Sequence, residues 1–311
     1  MGDPAGIGGE IILKSLPHIC NKSIPVIIGD ISVITFLQQH VFHDTPYPFK
    51  RFQEGKPGDV EFIDLGFLKE ITLGTINRQY GEASYLYILE ALKLIFLGGI
   101  SAIVTCPINK ASIRQAGVEF AGHTEILAHF GGVTDYIMMM ANRTMRVSLV
   151  TTHIPLQRVP ISISFDAVIK CISITAKSLQ HVFGINNPLI KVCGLNPHAG
   201  EKGIMGDEET IIEEAINKAQ TLGINVSGPY PADTLFHNID CDAFVAMYHD
   251  QGLIPVKTVD FNHTINITLG LPFVRTSPGH GTGYDIAGKG TANPASFLEA
   301  YRLAEKISAN L

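Results

Sequence analysis

Charge is scarce in this chain, and what there is leans acidic. Only 17% of the 311 residues are Asp, Glu, Lys or Arg, and the formal net charge is −6. Such a surface offers no basic footprint for nucleic acid or an anionic membrane. Long hydrophobic runs are also missing: no stretch reaches the roughly 18 apolar residues that a membrane-crossing helix needs. No basic, then apolar, then small-residue opening marks a secretory signal. Cysteine is sparse, with Cys20, Cys106, Cys171, Cys193 and Cys241. Their number is odd and no two have the spacing of a zinc or redox pair, so a reduced, cytoplasmic protein is expected. No internal repeat or low-complexity linker is present, and no Walker A string occurs.

What is present is apolar and rich in turns. Hydrophobic residues make up 46% of the chain, enough for a large core, while 30 glycines and 17 prolines fall in short loops. Strand-like and helix-like segments alternate. Ile24–Asp30 reads as a strand and turn, 82–97 as a mostly buried helix and 101–107 as a strand ending in a Pro/Asn loop. Residues 207–222 carry Ile211, Ile212, Ala215, Ile216 and Ala219 at helical spacing. Residues 242–247 read as another strand. The alternation predicts βαβ units and a mostly parallel sheet. The polar segment from about 41 to 75 reads as an insertion or an edge hairpin. The chain opens on Met1-Gly-Asp-Pro-Ala-Gly-Ile-Gly-Gly-Glu, a glycine-rich turn leading into the helix-like 10–16. Such a turn normally follows a strand, so either a strand is missing from the numbered chain or the loop begins the fold.

Three histidines share one local setting. His153 (Val147-Ser-Leu-Val-Thr-Thr-His-Ile-Pro), His198 (Ile190-Lys-Val-Cys-Gly-Leu-Asn-Pro-His-Ala-Gly) and His249 (Ala243-Phe-Val-Ala-Met-Tyr-His-Asp-Gln-Gly) each follow a short apolar run where the sequence turns to Pro, Gly or Asn. One such histidine is ordinarily structural. Three of them, delivered to the carboxyl edge where open α/β sheets bind ligands, can hold a divalent metal with positions left open. Zinc, cobalt, manganese and nickel all accept imidazole. Asp250 and Asp233 could supply supporting or proton-transferring carboxylates; in isolation Asp233 reads equally as a turn or N-cap residue.

Gly122-His-Thr-Glu marks a helix start, an anion site to which His123 and Thr124 can add donors, and equally a capping box. Lys257, Asn266 and Arg275 follow His249 and suit a substrate carrying carboxylate or phosphate. Ser277-Pro-Gly-His-Gly-Thr-Gly-Tyr-Asp-Ile-Ala-Gly-Lys-Gly could approach a nucleotide closely, but it is not a Rossmann fingerprint.

Taken in order, Gly2-Asp-Pro-Ala-Gly-Ile-Gly, Cys106-Pro-Ile-Asn-Lys, Gly122-His-Thr-Glu, Thr151-Thr-His-Ile-Pro-Leu, Asn196-Pro-His-Ala-Gly-Glu, Asp233-Thr-Leu-Phe, Tyr248-His-Asp-Gln-Gly, Asn266-Ile-Thr-Leu-Gly-Leu-Pro and Asp285-Ile-Ala-Gly-Lys-Gly resemble the 4-hydroxythreonine-4-phosphate dehydrogenase family of vitamin B6 synthesis. The resemblance implies an isocitrate/isopropylmalate dehydrogenase-like α/β fold of two lobes with a cleft between them. Residues 1–134 with 269–311 would form the cofactor-side lobe, and 135–268 the metal- and dimer-side lobe. It implies a homodimer and oxidation of a secondary alcohol by NAD, or NADP, with loss of carbon dioxide. The metal ligands would be His153, His198 and His249, one of them donated across the dimer to a zinc ion or to Mg, Mn, Co or Ni. The substrate-binding set would be His123, Thr124, Lys257, Asn266 and Arg275, with Lys257, Asp250 and Asp233 catalytic. Gly281, Thr282 and Asp285 fall in the loop expected to face the cofactor. Sister enzymes acting on erythronate or threonate 4-phosphate share much of this wording; a catalytically silent metal- or phosphate-binding homologue is the remaining alternative. Where the family usually reads Gly-Ile-Gly-Pro-Glu and Ser-Pro-Asp-His-Gly-Thr-Ala, this chain has Gly9, Gly279 and Gly283; the latter two fall in the loop expected to face the cofactor and are expected to loosen it.

Overall fold

The computed structural model describes residues 1–19, 23–43 and 47–309, so Cys20 lies outside the described residues. In chain order the elements are α1 (Gly8–Ile19), β1 (Val26–Gly29), α2 (Ile31–Leu37), β2 (Lys50–Arg51), β3 (Glu61–Asp64), α3 (Arg78–Phe96), β4 (Ala102–Val104), α4 (Lys110–Gln115), α5 (His123–Phe130), β5 (Ile137–Ala141) and β6 (Arg146–Leu149). Then follow α6 (Val159–Ser162), α7 (Phe165–His181), β7 (Ile190–Cys193), α8 (Glu208–Thr221), β8 (Val226–Tyr230), α9 (Ala232–Leu235), β9 (Ala243–Ala246), α10 (His249–Val259), β10 (Ile265–Leu269), β11 (Val274–Pro278) and α11 (Ala295–Ser308). The chain divides into two compact units, Met1–Gly132 with Pro272–Ala309, and Val133–Leu271.

In the first unit β1, β3 and β2 form a parallel sheet, and β4 pairs in parallel with β11. The 41–75 segment is therefore not an edge hairpin: β2 runs parallel to β3, because an irregular connection of nine residues, 52–60, separates them where a hairpin would need a tight turn. Helix α1 buries Ile11, Ile12, Leu16 and Ile19, a stripe at helical spacing, against Ile27, Ile34 and Phe297. Each such side chain contributes about 1.5–3 kcal/mol by leaving water. Asn77 caps α3 by accepting from the Gln79 amide at 2.8 Å. Gly81 lets α3 touch α4, since a Cβ there would overlap the Ser112 backbone carbonyl.

In the second unit the strand order is β10-β5-β6-β9-β7-β8. The β10-β5 and β5-β6 pairs are antiparallel, while β6-β9, β9-β7 and β7-β8 are parallel. Every residue of β9 is fully buried, as a central parallel strand covered on both faces requires. Helix α10 lies close on β6: a Cβ on Gly252 would sit 2.5 Å from Leu149 Cδ2. Among the described residues no single helix is long and apolar enough to cross a membrane.

Candidate active site

The three histidines follow three neighbouring parallel strands. β6, β9 and β7 lie side by side, with Val147 opposite Phe244 and Val192 opposite Val245. His153 comes after β6, His249 opens α10 directly after β9, and His198 follows β7, so all three leave the carboxyl edge of one parallel sheet. The rings of His153 and His249 approach with centroids 5.7 Å apart. Asp250 Oδ1 lies 2.6 Å from His249 Nδ1; a donated Nδ1–H there leaves Nε2 as the free lone pair. His198 is 65% exposed, with Glu201 Oε1 3.7 Å from its Nδ1. Among the described residues no three His, Cys, Asp or Glu side chains converge as a metal site. The donor chemistry fits a divalent ion, with two imidazoles adjacent and the third on the next strand's loop.

A hydrogen-bond network that the sequence did not reveal ties these loops together. Thr151, two residues before His153, donates its hydroxyl to the Met247 carbonyl at 2.7 Å. Gln251, two residues after His249, accepts from the Met247 amide at 2.7 Å and donates to the Gly194 carbonyl at 2.8 Å. Thus one glutamine side chain links the end of β9 to the end of β7, and Thr151 links β6 to β9. Glu209 anchors the third loop, accepting from the Leu195 and Asn196 amides at 2.9 and 2.7 Å. Its signal was present in the sequence: Glu209 sits on the same helical stripe as Ile212, Ile216 and Ala219, a charge on a buried face.

The loop carrying His198 is strained. His198, Ala199, Gly200, Glu201 and Lys202 all adopt left-handed dihedrals, with φ between 44° and 72°. For non-glycine residues that region costs about 1–2 kcal/mol each, and such outliers gather at functional sites.

Asp233 is an exposed residue of α9, not its N-cap, which is Pro231. Lys257 lies in the last turn of α10 with its ammonium 5.5 Å above the Phe261 ring. Asn266 sits on β10 opposite Met140, and its Oδ1 is buried without a hydrogen-bond partner, an acceptor that a ligand could satisfy.

The first unit holds the other expected residues. Arg275, on β11, is 3% exposed and donates from Nε and Nη2 to Thr105 Oγ1 at 3.2 and 2.7 Å. Burial lowers its pKa to about 10, partly offset by Glu125. His123 begins α5; burial first, and the Arg275 cation second, hold its pKa well below the usual value, so the ring stays neutral. Gly122 is the N-cap and supplies no side-chain cap, so the capping-box reading fails; the α5 amides start from a bare glycine. Thr124 follows His123 in that first turn.

The glycine-rich 279–290 loop folds onto the opening turn. The Ile7 amide donates to the Thr282 carbonyl at 2.9 Å, Tyr284 donates to Asp3 Oδ2 at 2.8 Å and the Gly288 amide donates to Glu10 Oε1 at 2.5 Å. Gly281 and Asp285 are exposed. Gly283 has φ +56°, where an L-residue is disfavoured, so glycine satisfies the backbone there. The loop is bonded to the opening turn at both its middle and its end. Gly9 fits beneath Leu37, whose Cδ1 would be 2.5 Å from an added Cβ.

The parallel strands, paired α/β units and histidine edge define an α/β protein of the isocitrate/isopropylmalate dehydrogenase-like class. The family model of the pyridoxal phosphate biosynthetic protein PdxA matches residues 21–304, and the chain belongs to that family. A 4-hydroxythreonine-4-phosphate dehydrogenase of Ruegeria sp. (strain TM1040) is 43% identical over 312 residues, covering 99% of this chain and 95% of the relative. The crystal structure of the 4-hydroxythreonine-4-phosphate dehydrogenase from Klebsiella pneumoniae is 37% identical, covers 99% of this chain and 98% of its own, and superposes with a TM-score of 0.88. A terephthalate 1,2-cis-dihydrodiol dehydrogenase from Burkholderia xenovorans LB400 is similar at 31% identity and a TM-score of 0.67, covering 98% and 95%.

Proposed function

We propose that this chain is an NAD-dependent, metal-dependent dehydrogenase that oxidises 4-phosphooxy-L-threonine, with decarboxylation to 3-amino-2-oxopropyl phosphate, in pyridoxal phosphate synthesis. The observation that carries the reading is the delivery of His153, His249 and His198 by adjacent parallel strands to one sheet edge. The full-length similarity to enzymes bearing that name supports the substrate. The free cysteines, Cys106, Cys171 and Cys193 buried and Cys241 partly so, accord with a cytoplasmic location.

In this reading His153, His198 and His249 hold one divalent ion, zinc foremost, within a homodimer in which one ligand comes from the second copy. Exposed Ile154, Leu156, Ile204 and Met205, beside His153 and His198, are apolar surface that a second copy would cover. When bound, the ion supplies Lewis acidity at the substrate hydroxyl and the nicotinamide accepts a hydride. Asp250 fixes the His249 ring through Nδ1. Lys257 and Asp233 or Asp250 carry protons to and from the reacting oxygen and carbon. In the first unit Arg275, neutral His123 and Thr124 bind the substrate's anionic groups, with Asn266 offering its amide in the second. Gly281, Thr282 and Asp285 belong to the cofactor loop, and the first unit is the cofactor side.

The test is NADH formation by the purified protein with a divalent metal. Turnover of 4-phosphooxy-L-threonine in clear preference to D-erythronate or D-threonate 4-phosphate is expected. Preference for the sugar acids would transfer the chain to their catabolism, and binding without turnover would make it a silent homologue.

A further inference from the structure

We infer that Glu209 is a positioning residue for His198, holding the loop between β7 and α8 in the left-handed shape that presents the imidazole. The inference rests on the reading of His198 as a metal ligand. Glu209 is 5% exposed, and among the described residues it pairs with no cation. A buried carboxylate is costly unless donors surround it, and here they all come from the His198 loop. Oε1 accepts from the Leu195 and Asn196 amides, and Oε2 accepts from Asn196 Nδ2 at 2.9 Å. Glu208 Oε2 takes the same amide group at 2.8 Å. Asn196 stands two residues before His198, so the clamp grips the loop at the base of the left-handed run.

The other side of the run touches the same carboxylate. Gly200, at φ +72°, would place a Cβ 2.6 Å from Glu209 Oε2. Its backbone is therefore pressed to the carboxylate, and glycine is required twice, by conformation and by contact. Glu209 is also the second residue of α8, where the helix N-terminus favours a negative charge. The rigid element is the helix, and the carboxylate transmits its position to a strained, exposed histidine.

A double-mutant cycle read by Co²⁺ binding tests this. Glu209→Gln keeps the size of the side chain but turns an N–H donor toward loop donors. In the parent background it should weaken Co²⁺ binding about 10–100-fold, the usual effect of removing a partner that orients a ligand, and alter the visible Co²⁺ spectrum. In a His198→Ala background it should weaken binding no further. Equal losses in both backgrounds, or none in the parent, would overturn the inference. His198→Ala alone is measured in the same series; if it leaves Co²⁺ affinity intact, the metal reading itself falls and takes this inference with it. Should Glu209→Gln fail to fold, Asn196→Asp and Gly200→Ala disturb the same clamp and carry the same cycle.

Discussion

The two units hold their functional side chains in opposite ways. In the first, Arg275 is 3% exposed and gripped side chain to side chain by Thr105, with neutral His123 beside it. The cation is desolvated in advance, so in the proposed role an anionic group would meet strong, preset donors. In the second, His198 is 65% exposed and Asp250 72% exposed. Here the order lies in the backbone: Thr151, Gln251 and Glu209 fix the loops, while the imidazoles at their tips stay open. A buried cation suits a site that must discriminate charge; exposed imidazoles on braced loops suit the proposed role, in which an ion and a second chain would complete the site.

That contrast can be broken at its most exposed point first. His198→Ala should weaken metal binding, leaving the adjacent His153 and His249 to hold Co²⁺ with reduced but measurable affinity, and lower activity with it, kcat/KM falling about 10³-fold or more, as expected for several kcal/mol of lost Lewis-acid stabilisation. Metal content by elemental analysis and NADH formation check it, and retained activity with retained metal would dissolve the distinction between the units. Arg275→Met, next in size, should cost about 10²–10³-fold in kcat/KM, carried mostly by KM, because two charge-assisted bonds are lost. Co²⁺ affinity should not change, which separates the anion set from the metal set.

The third effect is on stability. His123 has a folded pKa held well below its unfolded value near 6.5. The unfolded chain therefore takes up a proton that the folded chain refuses. The stability His123 contributes is fully present above about pH 6.5 and is lost as pH falls below it, at up to about 1.4 kcal/mol per pH unit. His123→Gln should flatten the dependence of denaturant midpoint on pH between about 6.5 and 5, and an unchanged slope would assign the acid sensitivity elsewhere.

Much of the frame was legible because periodicity survives packing. The 82–97 stripe falls in α3 up to its C-cap at Leu97, 207–222 spans α8 and 242–247 contains β9, since each buries a regular face. The histidine edge was legible for a related reason, as apolar runs ending in turn residues are parallel strands whose carboxyl ends align. The pairing of β2 with β3 was not, because two-residue strands such as Lys50–Arg51 carry no pattern. Nor was the left-handed run: Pro197-His-Ala-Gly-Glu-Lys has one glycine among its five left-handed residues, and only tertiary anchors such as Glu209 hold the rest there. Gln251 and Thr151 carry no distinct signal, because polar residues near a histidine look like ordinary turn chemistry and only their partners on neighbouring strands set them apart.

The smallest effect probes the loop whose glycines looked like weakness. Gly283→Ala adds a Cβ at φ +56°, 3.0 Å from Ile7 Cδ1. Left-handed strain of about 1–2 kcal/mol is expected, seen as a Tm lower by a few degrees. Because Ile7 already donates to Thr282 and Tyr284 to Asp3, the strain must be absorbed by the opening turn as well as the loop. NAD affinity, measured by calorimetry, should then fall alongside Tm. An alanine that raised both would mean the loop relaxes to a right-handed turn when substituted, and that the bonds to the opening turn do not fix its shape.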